Sequence, residues 1–243
     1  HGRQLNYLRL AVTDRCNLRC FYCMPEEGLN FSKKSQILSF EEMERLIVIL
    51  AKLGISKVRI TGGEPFVRKD LIPFMKTVSG IEGIDKLSIT TNGTGPLTQI
   101  AEMKAMGIYA VNLSLDCLDR DRFHKITRRD EFDQVMTYYR ALLDADINTK
   151  INAVVMQDHN LDDIIPICEL TKLDKVSVRF IEEMPFNGGS KGYTPIEWNH
   201  NKILDHIQTA YPDLIKIEDE KSSTSYNYQI PGAKGSIGII PSY

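Results

Sequence analysis

The topology of this chain follows from Leu8-Arg9-Leu10-Ala11-Val12-Thr13-Asp14-Arg15-Cys16-Asn17-Leu18-Arg19-Cys20-Phe21-Tyr22-Cys23, a strand pattern that runs directly into a cysteine loop. The three cysteines have the spacing C-x3-C-x2-C. Iron–sulfur clusters are normally held by four thiolates, so a set of three indicates a cluster with one iron open to another ligand. Structural zinc sites close with four ligands, and no second cysteine pair follows here. A zinc knuckle or three unrelated thiols are the weaker alternatives.

Composition places the chain among α/β proteins of a reducing compartment. It has 243 residues, 42% of them hydrophobic, which suits one large domain or two small ones. A net charge of −2 gives no support to a nucleic-acid or membrane-surface partner. No apolar run approaches the ~20 residues that span a bilayer, and no secretory signal is visible. The five cysteines do not fit a disulfide framework, so we expect a cytoplasmic protein. Because His1 is not an initiator methionine, we expect a cut or processed start.

Strand and helix patterns alternate along the chain. Six strands are predicted at Leu8–Thr13, Lys57–Thr61, Lys86–Asn92, Ala110–Leu115, Thr149–Val155 and Lys175–Ile181. A seventh is possible at Ser236–Ile240. Ser39 and Glu42 form a capping box, Asp70 is expected to cap the next helix, and Thr194–Glu197 is expected to open a late helix. Six β-α units predict parallel strands with right-handed crossovers in a single domain, residues 1–243.

Each predicted strand has one apolar and one polar face. A parallel sheet covered by helices on both faces would instead be apolar throughout. We therefore predict an α/β fold, a partial (β/α)6 barrel of the TIM type with outer helices and a polar cavity. The alternative, a sheet with one solvent-exposed face, is unusual where helices follow every strand. Five cations share the predicted cavity face: Arg9, Lys57, Arg59, Lys150 and Arg179.

This cluster of positive charge predicts a phosphate-rich ligand. Like charges facing one cavity repel and are costly to desolvate, and a polyanion offsets that cost. Arg offers bidentate geometry to phosphate oxygens and Lys offers a point charge. In βα barrels the site lies at the carboxyl ends of the strands. There the sequence places the cysteine loop, Gly62–Pro65, Thr90, Asn92, Ser114 and Asp116.

Several motifs together resemble the radical S-adenosylmethionine (SAM) superfamily. They are Cys16-x3-Cys20-x2-Cys23 with its aromatic Tyr22, and Gly62-Gly63-Glu64-Pro65 after the second strand. Nearly the whole chain is similar to the GTP 3',8-cyclase family of molybdenum cofactor biosynthesis, through Leu8–Asn17, Cys23–Pro25, Val58–Pro65, Thr90–Gly93, Val111–Asp116 and Arg179–Met184. The resemblance implies that SAM binds the open iron of a [4Fe-4S] cluster and is cleaved to a 5'-deoxyadenosyl radical. In the cyclase family this radical takes the ribose C3' hydrogen of GTP, and the carbon radical attacks guanine C8.

The resemblance also implies roles for matching residues. The [4Fe-4S] cluster would be held by Cys16, Cys20 and Cys23. SAM would be contacted by Tyr22, Gly63, Glu64, Ser114 and Met184. GTP would be contacted by Arg9, Lys57, Arg59, Thr90, Lys150 and Arg179. No catalytic side chain beyond the cluster and SAM is implied. A downstream cyclic pyranopterin monophosphate synthase and a homodimer are the expected partners, with no nucleic acid and no membrane.

One departure from the family pattern concerns a second [4Fe-4S] cluster. In the family, three cysteines of the C-terminal part hold it, and this chain stops at Tyr243 before that region; Cys117 and Cys168 do not match it. We expect the second cluster in the full-length protein only, so that this chain alone retains SAM cleavage with little or no cyclisation. The alternatives are another radical SAM enzyme such as a peptide or sulfatase maturase, a zinc-binding module, and a phosphate-binding barrel without redox chemistry.

Overall fold

A computed structural model of the protein describes residues 5–25, 27–184, 197–219 and 224–242. The chain forms two compact units. The first unit contains residues 1–18, 27–113 and 133–148, and the second contains residues 19–26, 114–132 and 149–243. The expectation of a single domain stays a prediction. Within the described residues, every helix is too short or too polar to cross a lipid bilayer.

The described residues contain nine strands and seven α-helices. The strands are β1 (Tyr7–Ala11), β2 (Lys57–Thr61), β3 (Lys86–Thr91), β4 (Ala110–Ser114), β5 (Thr149–Val155), β6 (Val176–Glu182), β7 (Ile215–Lys216), β8 (Tyr226–Gln229) and β9 (Ser236–Ile240). The helices are α1 (Phe40–Lys52), α2 (Leu71–Ser79), α3 (Thr98–Ala105), α4 (Arg120–Thr127), α5 (Phe132–Asp144), α6 (Ile164–Leu173) and α7 (His200–Ala210). All six predicted strands, and the seventh, are present with bounds shifted by at most two residues.

The first unit is built on four parallel strands in the order β1-β2-β3-β4. In β3 and β4 most positions are buried without alternation. In β2, Val58 and Ile60 are buried, whereas Lys57 and Arg59 are not. The predicted alternation of faces is therefore confirmed in this strand. The predicted capping box of α1 is also confirmed, because Ser39 Oγ accepts from the Glu42 amide at 3.2 Å and Glu42 Oε2 accepts from the Ser39 amide at 2.7 Å.

The second unit has strand order β5-β6-β9-β8-β7. The β5–β6 and β6–β9 pairs are parallel, and β8 pairs with β9 and β7 in antiparallel fashion. Side chains of β5 and β6 alternate strictly between buried and half-buried, as predicted. Strands β7 and β8 were not predicted, because two and four residues are too short to give a periodic signal.

Two helix starts differ from the sequence predictions, and one helix was not predicted. Asp70 does not cap α2: its side chain makes no capping hydrogen bond and its φ is 61°, outside the extended conformation that capping residues adopt. Helix α7 begins at His200, where Asn199 Oδ1 accepts from the Asn201 and Lys202 amides at 3.1 Å each. Residues 194–196 of the predicted start lie outside the described residues. Helix α4 was not predicted, because its highly charged sequence has only a short apolar face.

Candidate functional site

The part of the cysteine loop in the second unit is attached to the end of α4. The Arg19 amide donates to the Thr127 carbonyl at 2.9 Å, and the Phe21 amide donates to the Ile126 carbonyl at 3.0 Å. Carbonyls in the last turn of a helix have no partner within the helix, so they are available to bind a passing chain. The helix that sequence reasoning missed therefore positions the loop. Asp119 caps this helix, because its Oδ1 accepts from the Arg122 amide at 2.9 Å. An aspartate at that position is the sequence signal that could have predicted α4.

Cys20 and Cys23 lie on a tight turn of this loop. The Cys20 carbonyl accepts from the Cys23 amide at 3.0 Å and from the Met24 amide at 2.9 Å. The Met24 carbonyl in turn accepts from Arg128 Nη1 at 3.2 Å. Cys20 is half-buried and Cys23 is exposed, and neither is in a disulfide. Reduced thiols on a fixed turn suit the ligand chemistry of an iron–sulfur cluster.

Tyr22, between these two cysteines, is bonded to the end of β4. Its hydroxyl donates to Asp116 Oδ2 at 2.7 Å. Burial, followed by the nearby Asp116 carboxylate, raises the pKa of Tyr22 well above its ordinary value. Burial also raises the pKa of Asp116 to about 6. The phenol therefore stays protonated and acts as a fixed donor within the loop.

Cys16 belongs to the first unit, where it is half-buried. Its Sγ accepts a hydrogen bond from Asn92 Nδ2 at 3.8 Å. Hydrogen bonds to the ligand sulfurs are among the features that set the potential of an iron–sulfur cluster. The environment of this thiol therefore fits a cluster ligand.

The Gly62–Pro65 motif brings the end of β2 against the chain that precedes Cys16. The Gly63 amide donates to the Thr13 carbonyl at 2.7 Å, and the Glu64 amide donates to the Arg15 carbonyl at 2.8 Å. A Cβ at Gly63 would overlap the Arg15 carbonyl oxygen and lie 2.6 Å from its carbon. Glycine is needed here for close backbone approach within the protein. The predicted contact of Gly63 with SAM stays a prediction.

Glu64 is almost fully buried, with 2% of its surface exposed. Its Oε2 accepts from the Asn92 amide at 2.6 Å, and its Oε1 accepts from the Thr91 hydroxyl at 2.9 Å and the Phe66 amide at 3.1 Å. Burial raises the pKa of this carboxyl to about 7, although the three hydrogen bonds act in the opposite direction. Glu64 therefore joins the end of β2 to the end of β3, and its predicted contact with SAM is not tested by these bonds.

The polar face of the first unit carries three of the predicted cations. Arg9 and Arg59 are register neighbours on β1 and β2, and Lys57 lies two residues before Arg59. Arg59 Nε is buried and, within the described residues, has no hydrogen-bond partner. Burial, with Arg9 adding to the effect, lowers the pKa of Arg59. The Tyr7 ring lies under its guanidinium, with Cζ 5.4 Å from the ring centroid.

The same face continues as uncharged polar groups on β3 and β4. Thr90 is the register neighbour of Asn112. The Thr90 Oγ1 atom and both amide atoms of Asn112 are buried and have no partner among the described residues. The alternation of the strand placed Asn112 on the polar face, but sequence reasoning gave this residue no role. That alternation is the sequence signal that could have identified it as a candidate site residue. Unpaired buried polar groups are costly, so this row fits a polar ligand or buried water.

The polar face of the second unit carries the other two cations. Lys150 pairs in register with Ser177, and Arg179 lies between Asn152 and Gly238. A Cβ at Gly238 would lie 3.3 Å from Arg179 Cγ, closer than most real contacts, so glycine leaves room for the arginine stem. Convergence of all five cations on one cavity stays a prediction.

The two remaining predicted SAM contacts lie in the second unit at the ends of strands. Ser114 is the last residue of β4 and is half-buried, and Met184 follows β6 and is 53% exposed. In the part of the chain that the structure describes, no group of three or more His, Cys, Asp or Glu side chains is arranged to hold a metal ion.

Comparison with known sequences gives one family and many relatives. The sequence model of the radical SAM superfamily matches residues 10–171. The chain is 40% identical to the GTP 3',8-cyclase of Peptoclostridium acidaminophilum over 244 residues, covering 99% of this chain and 74% of that protein. It is 39% identical to molybdenum cofactor biosynthesis protein 1 of Drosophila melanogaster, covering 99% of this chain and 42% of that protein. The chain thus spans less than half the length of some relatives.

Comparison with solved structures shows the fold. SuiB of Streptococcus suis matches with a TM-score of 0.71 at 16% identity, covering 96% of this chain and 49% of that one. A structure of anSMEcpe with bound AdoMet matches with a TM-score of 0.64 at 18% identity, covering 84% of this chain and 57% of that one. The predicted fold class, an α/β partial barrel with parallel strands and outer helices, is confirmed.

Proposed function

The chain belongs to the radical SAM superfamily and, within it, to the GTP 3',8-cyclases, and from this premise we propose that it acts on GTP. The proposed product is (8S)-3',8-cyclo-7,8-dihydroguanosine 5'-triphosphate, formed in the first step of molybdenum cofactor biosynthesis. Support comes from 40% identity to a GTP 3',8-cyclase over 99% of this chain.

The observation that carries the GTP proposal is the paired arginines of the first unit. Arg9 and Arg59 are register neighbours on β1 and β2. The Nε atom of Arg59 is buried and has no hydrogen-bond partner among the described residues. Two adjacent guanidinium groups repel each other, and an anion bound between them offsets this repulsion. A triphosphate offers several anionic oxygens in the bidentate geometry that arginine binds. On the second unit, Lys150 and Arg179 are proposed to contribute in the same way.

The proposed roles of the remaining residues follow the cluster and its ligand. Cys16, Cys20 and Cys23 would hold the [4Fe-4S] cluster. When bound, the cluster and SAM supply the one-electron chemistry that removes a hydrogen atom from the substrate. Tyr22, Gly63, Glu64, Ser114 and Met184 are proposed to orient SAM. Arg9, Lys57, Arg59, Thr90, Lys150 and Arg179 are proposed to orient GTP.

The competing functions are disfavoured by specific observations. A peptide or sulfatase maturase does not call for adjacent arginines on the substrate face, and the sequence identity is to cyclases. A zinc-binding module does not account for a superfamily match over residues 10–171.

The proposed function also implies a partner enzyme, an oligomeric state and a compartment. A cyclic pyranopterin monophosphate synthase is the proposed consumer of the product. We also propose a homodimer in the cytoplasm, where a reducing environment keeps cluster thiols available.

The test uses anaerobically reconstituted protein. Iron and sulfide are counted first, and release of 5'-deoxyadenosine is then measured with GTP, with ATP and with a panel of peptides. We expect iron and sulfide in equal amounts, and release of 5'-deoxyadenosine that GTP alone stimulates. Stimulation by a peptide instead would overturn the proposal in favour of a maturase, and bound zinc without sulfide would favour the module.

A matched pair of variants tests the arginine argument. Arg59→Met should weaken GTP binding at least tenfold in equilibrium dialysis, because it removes a charge-assisted partner of the phosphates. Arg45→Met changes an exposed arginine of α1 and should leave GTP binding unchanged. Equal effects of the two substitutions would show that the β2 arginine has no specific role.

A further inference from the structure

We infer that Asn92 is a positioning residue whose side-chain amide donates an N–H···S hydrogen bond to the Cys16 thiolate and thereby raises the reduction potential of the cluster. The inference rests on the part of the proposed function that gives Cys16 a cluster to bind. Its evidence is a closed ring of hydrogen bonds in the first unit that sequence reasoning did not anticipate.

The ring joins three side chains from two loops. Asn92 Nδ2 donates to Asn17 Oδ1 at 2.9 Å, and Asn17 Nδ2 donates to Thr94 Oγ1 at 2.7 Å. The Thr94 hydroxyl then donates to Asn92 Oδ1 at 2.7 Å. Each donor meets an acceptor, so the three hydrogen bonds are donated in the same direction around the ring. The residue that follows Cys16 is thereby fixed to the loop after β3.

The orientation of the Asn92 amide is determined by its neighbours. The two ends of an asparagine amide must be assigned from the groups around them. A backbone N–H can only donate, and the Thr94 amide lies 3.0 Å from Asn92 Oδ1, so this end is the acceptor. The other end must then be the NH2 group, which has two hydrogens. One is used by Asn17, and the other points to Cys16 Sγ at 3.8 Å.

The backbone around the ring is anchored independently. The Asn92 amide donates to Glu64 Oε2 at 2.6 Å, so the buried carboxylate fixes the start of the loop. Gln134 Nε2 donates to the Thr94 carbonyl at 2.8 Å and fixes the next part. Asn92 itself is 8% exposed. The donor is therefore held in place by three elements and competes little with water.

The chemical consequence is a change in potential. Reduction adds a negative charge to the cluster and its thiolates, and an N–H group aimed at sulfur stabilises that charge. Hydrogen bonds to cluster sulfurs and solvent exposure are established determinants of potential. Loss of the donor should therefore lower the potential without removing any ligand. A purely structural role for Asn92 would change stability or cluster content but not potential.

The experiment is a potentiometric titration of the anaerobically reconstituted protein in the absence of GTP, followed by the EPR signal of the reduced cluster. Asn92→Ala removes the donor, and Asn92→Leu removes it while keeping the approximate volume of the side chain and adding no charge. At the wild-type midpoint potential, we expect the ratio of reduced to oxidised cluster to fall at least threefold in either variant. For a one-electron couple this corresponds to about 28 mV, given about 59 mV per factor of ten.

Thr94→Val is the matched control, since it opens the ring but leaves the Asn92 NH2 group in place. Its ratio should stay within about 1.5-fold of wild type by the same scale. Asn92 variants that carry a full cluster and titrate like wild type would overturn the inference while leaving the proposed function intact. Thr94→Val titrating like Asn92→Ala would overturn it too, because the ring rather than the donor would then set the potential. A wild-type protein that binds no iron and sulfide would refute both.

Discussion

Tyr22 and Asp116, 94 positions apart in the sequence, are joined by a 2.7 Å hydrogen bond from the phenol to Oδ2. The other carboxylate oxygen of Asp116 accepts from the Val154 amide at 2.9 Å. The aromatic residue between two cluster cysteines is thereby connected to β5 through a single buried side chain. Asn160 closes the arrangement, since its Nδ2 donates to the Asp116 carbonyl at 2.7 Å and the Val154 carbonyl at 2.8 Å.

The first prediction concerns this connection. Tyr22→Phe removes the donor and leaves one oxygen of a buried carboxylate without a partner, which should lower the free energy of unfolding by about 1–3 kcal/mol. Urea denaturation measures the change. Tyr226→Phe, at an exposed position, serves as control and should stay within about 0.5 kcal/mol of wild type. Equal losses in the two variants would contradict the importance of the Asp116 bond.

The second prediction concerns the pH dependence of stability through Glu64. Its pKa is raised from 4.5 to about 7 by burial, so the folded state holds this proton more tightly than the unfolded state. Its contribution to stability is therefore complete below about pH 4.5 and is lost as pH rises towards 7. Glu64→Gln should remove this slope, which unfolding curves at intervals between pH 5 and 7.5 would detect.

The same substitution also carries a constant cost. An amide has one acceptor oxygen for three donors, so its NH2 group faces an N–H or O–H group at a cost of about 1–3 kcal/mol. The variant should therefore be less stable than wild type at low pH, and the difference should narrow as pH rises. A difference that is constant between pH 5 and 7.5 would refute the raised pKa.

The third prediction compares a buried ion pair with an exposed one. Arg122 binds Asp163 through Nε–Oδ2 at 2.6 Å and Nη2–Oδ1 at 3.2 Å, and the Asp163 side chain is only 1% exposed. Arg122→Ala should cost about 1–3 kcal/mol, because the buried carboxylate loses its charged partner and keeps the Leu118 amide as a donor to Oδ1 at 2.8 Å. Lys104→Ala breaks the exposed pair with Asp146 and should cost no more than about 0.5 kcal/mol. Thermal unfolding of both variants checks the ranking, and similar midpoints would contradict it.

The fourth prediction concerns the glycine of the Gly62–Pro65 motif. Gly63→Ala places a methyl group against backbone atoms of Arg15 and 2.9 Å from the Asp14 carbonyl oxygen, so the chain before Cys16 must move. We expect a loss of at least half of the bound iron after reconstitution. Gly80→Ala is the control: its φ is −92° and its nearest contact would be 3.5 Å, so iron content should not change. Retention of full iron by Gly63→Ala would show that the cysteine loop tolerates the displacement.

Sequence by itself determined the succession of elements and the chemistry of the ligand set. The alternation of β5 and β6, the capping box at Ser39 and the cysteine spacing are local patterns, because each depends on residues within a few positions of one another. The same locality explains the errors. Asp70 has the residue type of a helix cap, but its backbone adopts φ 61°, and α4 has too few apolar residues to be recognised.

Tertiary structure alone decided which polar groups meet. Asn92 and Asn17 are 75 residues apart, and Tyr22 and Asp116 are 94 apart, so no local period relates them. Their contacts depend on strand register and on where each loop leaves its strand. Burial also had to be known before Glu64 could be seen as a carboxyl that holds its proton up to a pKa of about 7. The sequence names the carboxyl group and its three donors, but it does not show whether water surrounds them. The pKa depends on that water, which only the folded structure excludes.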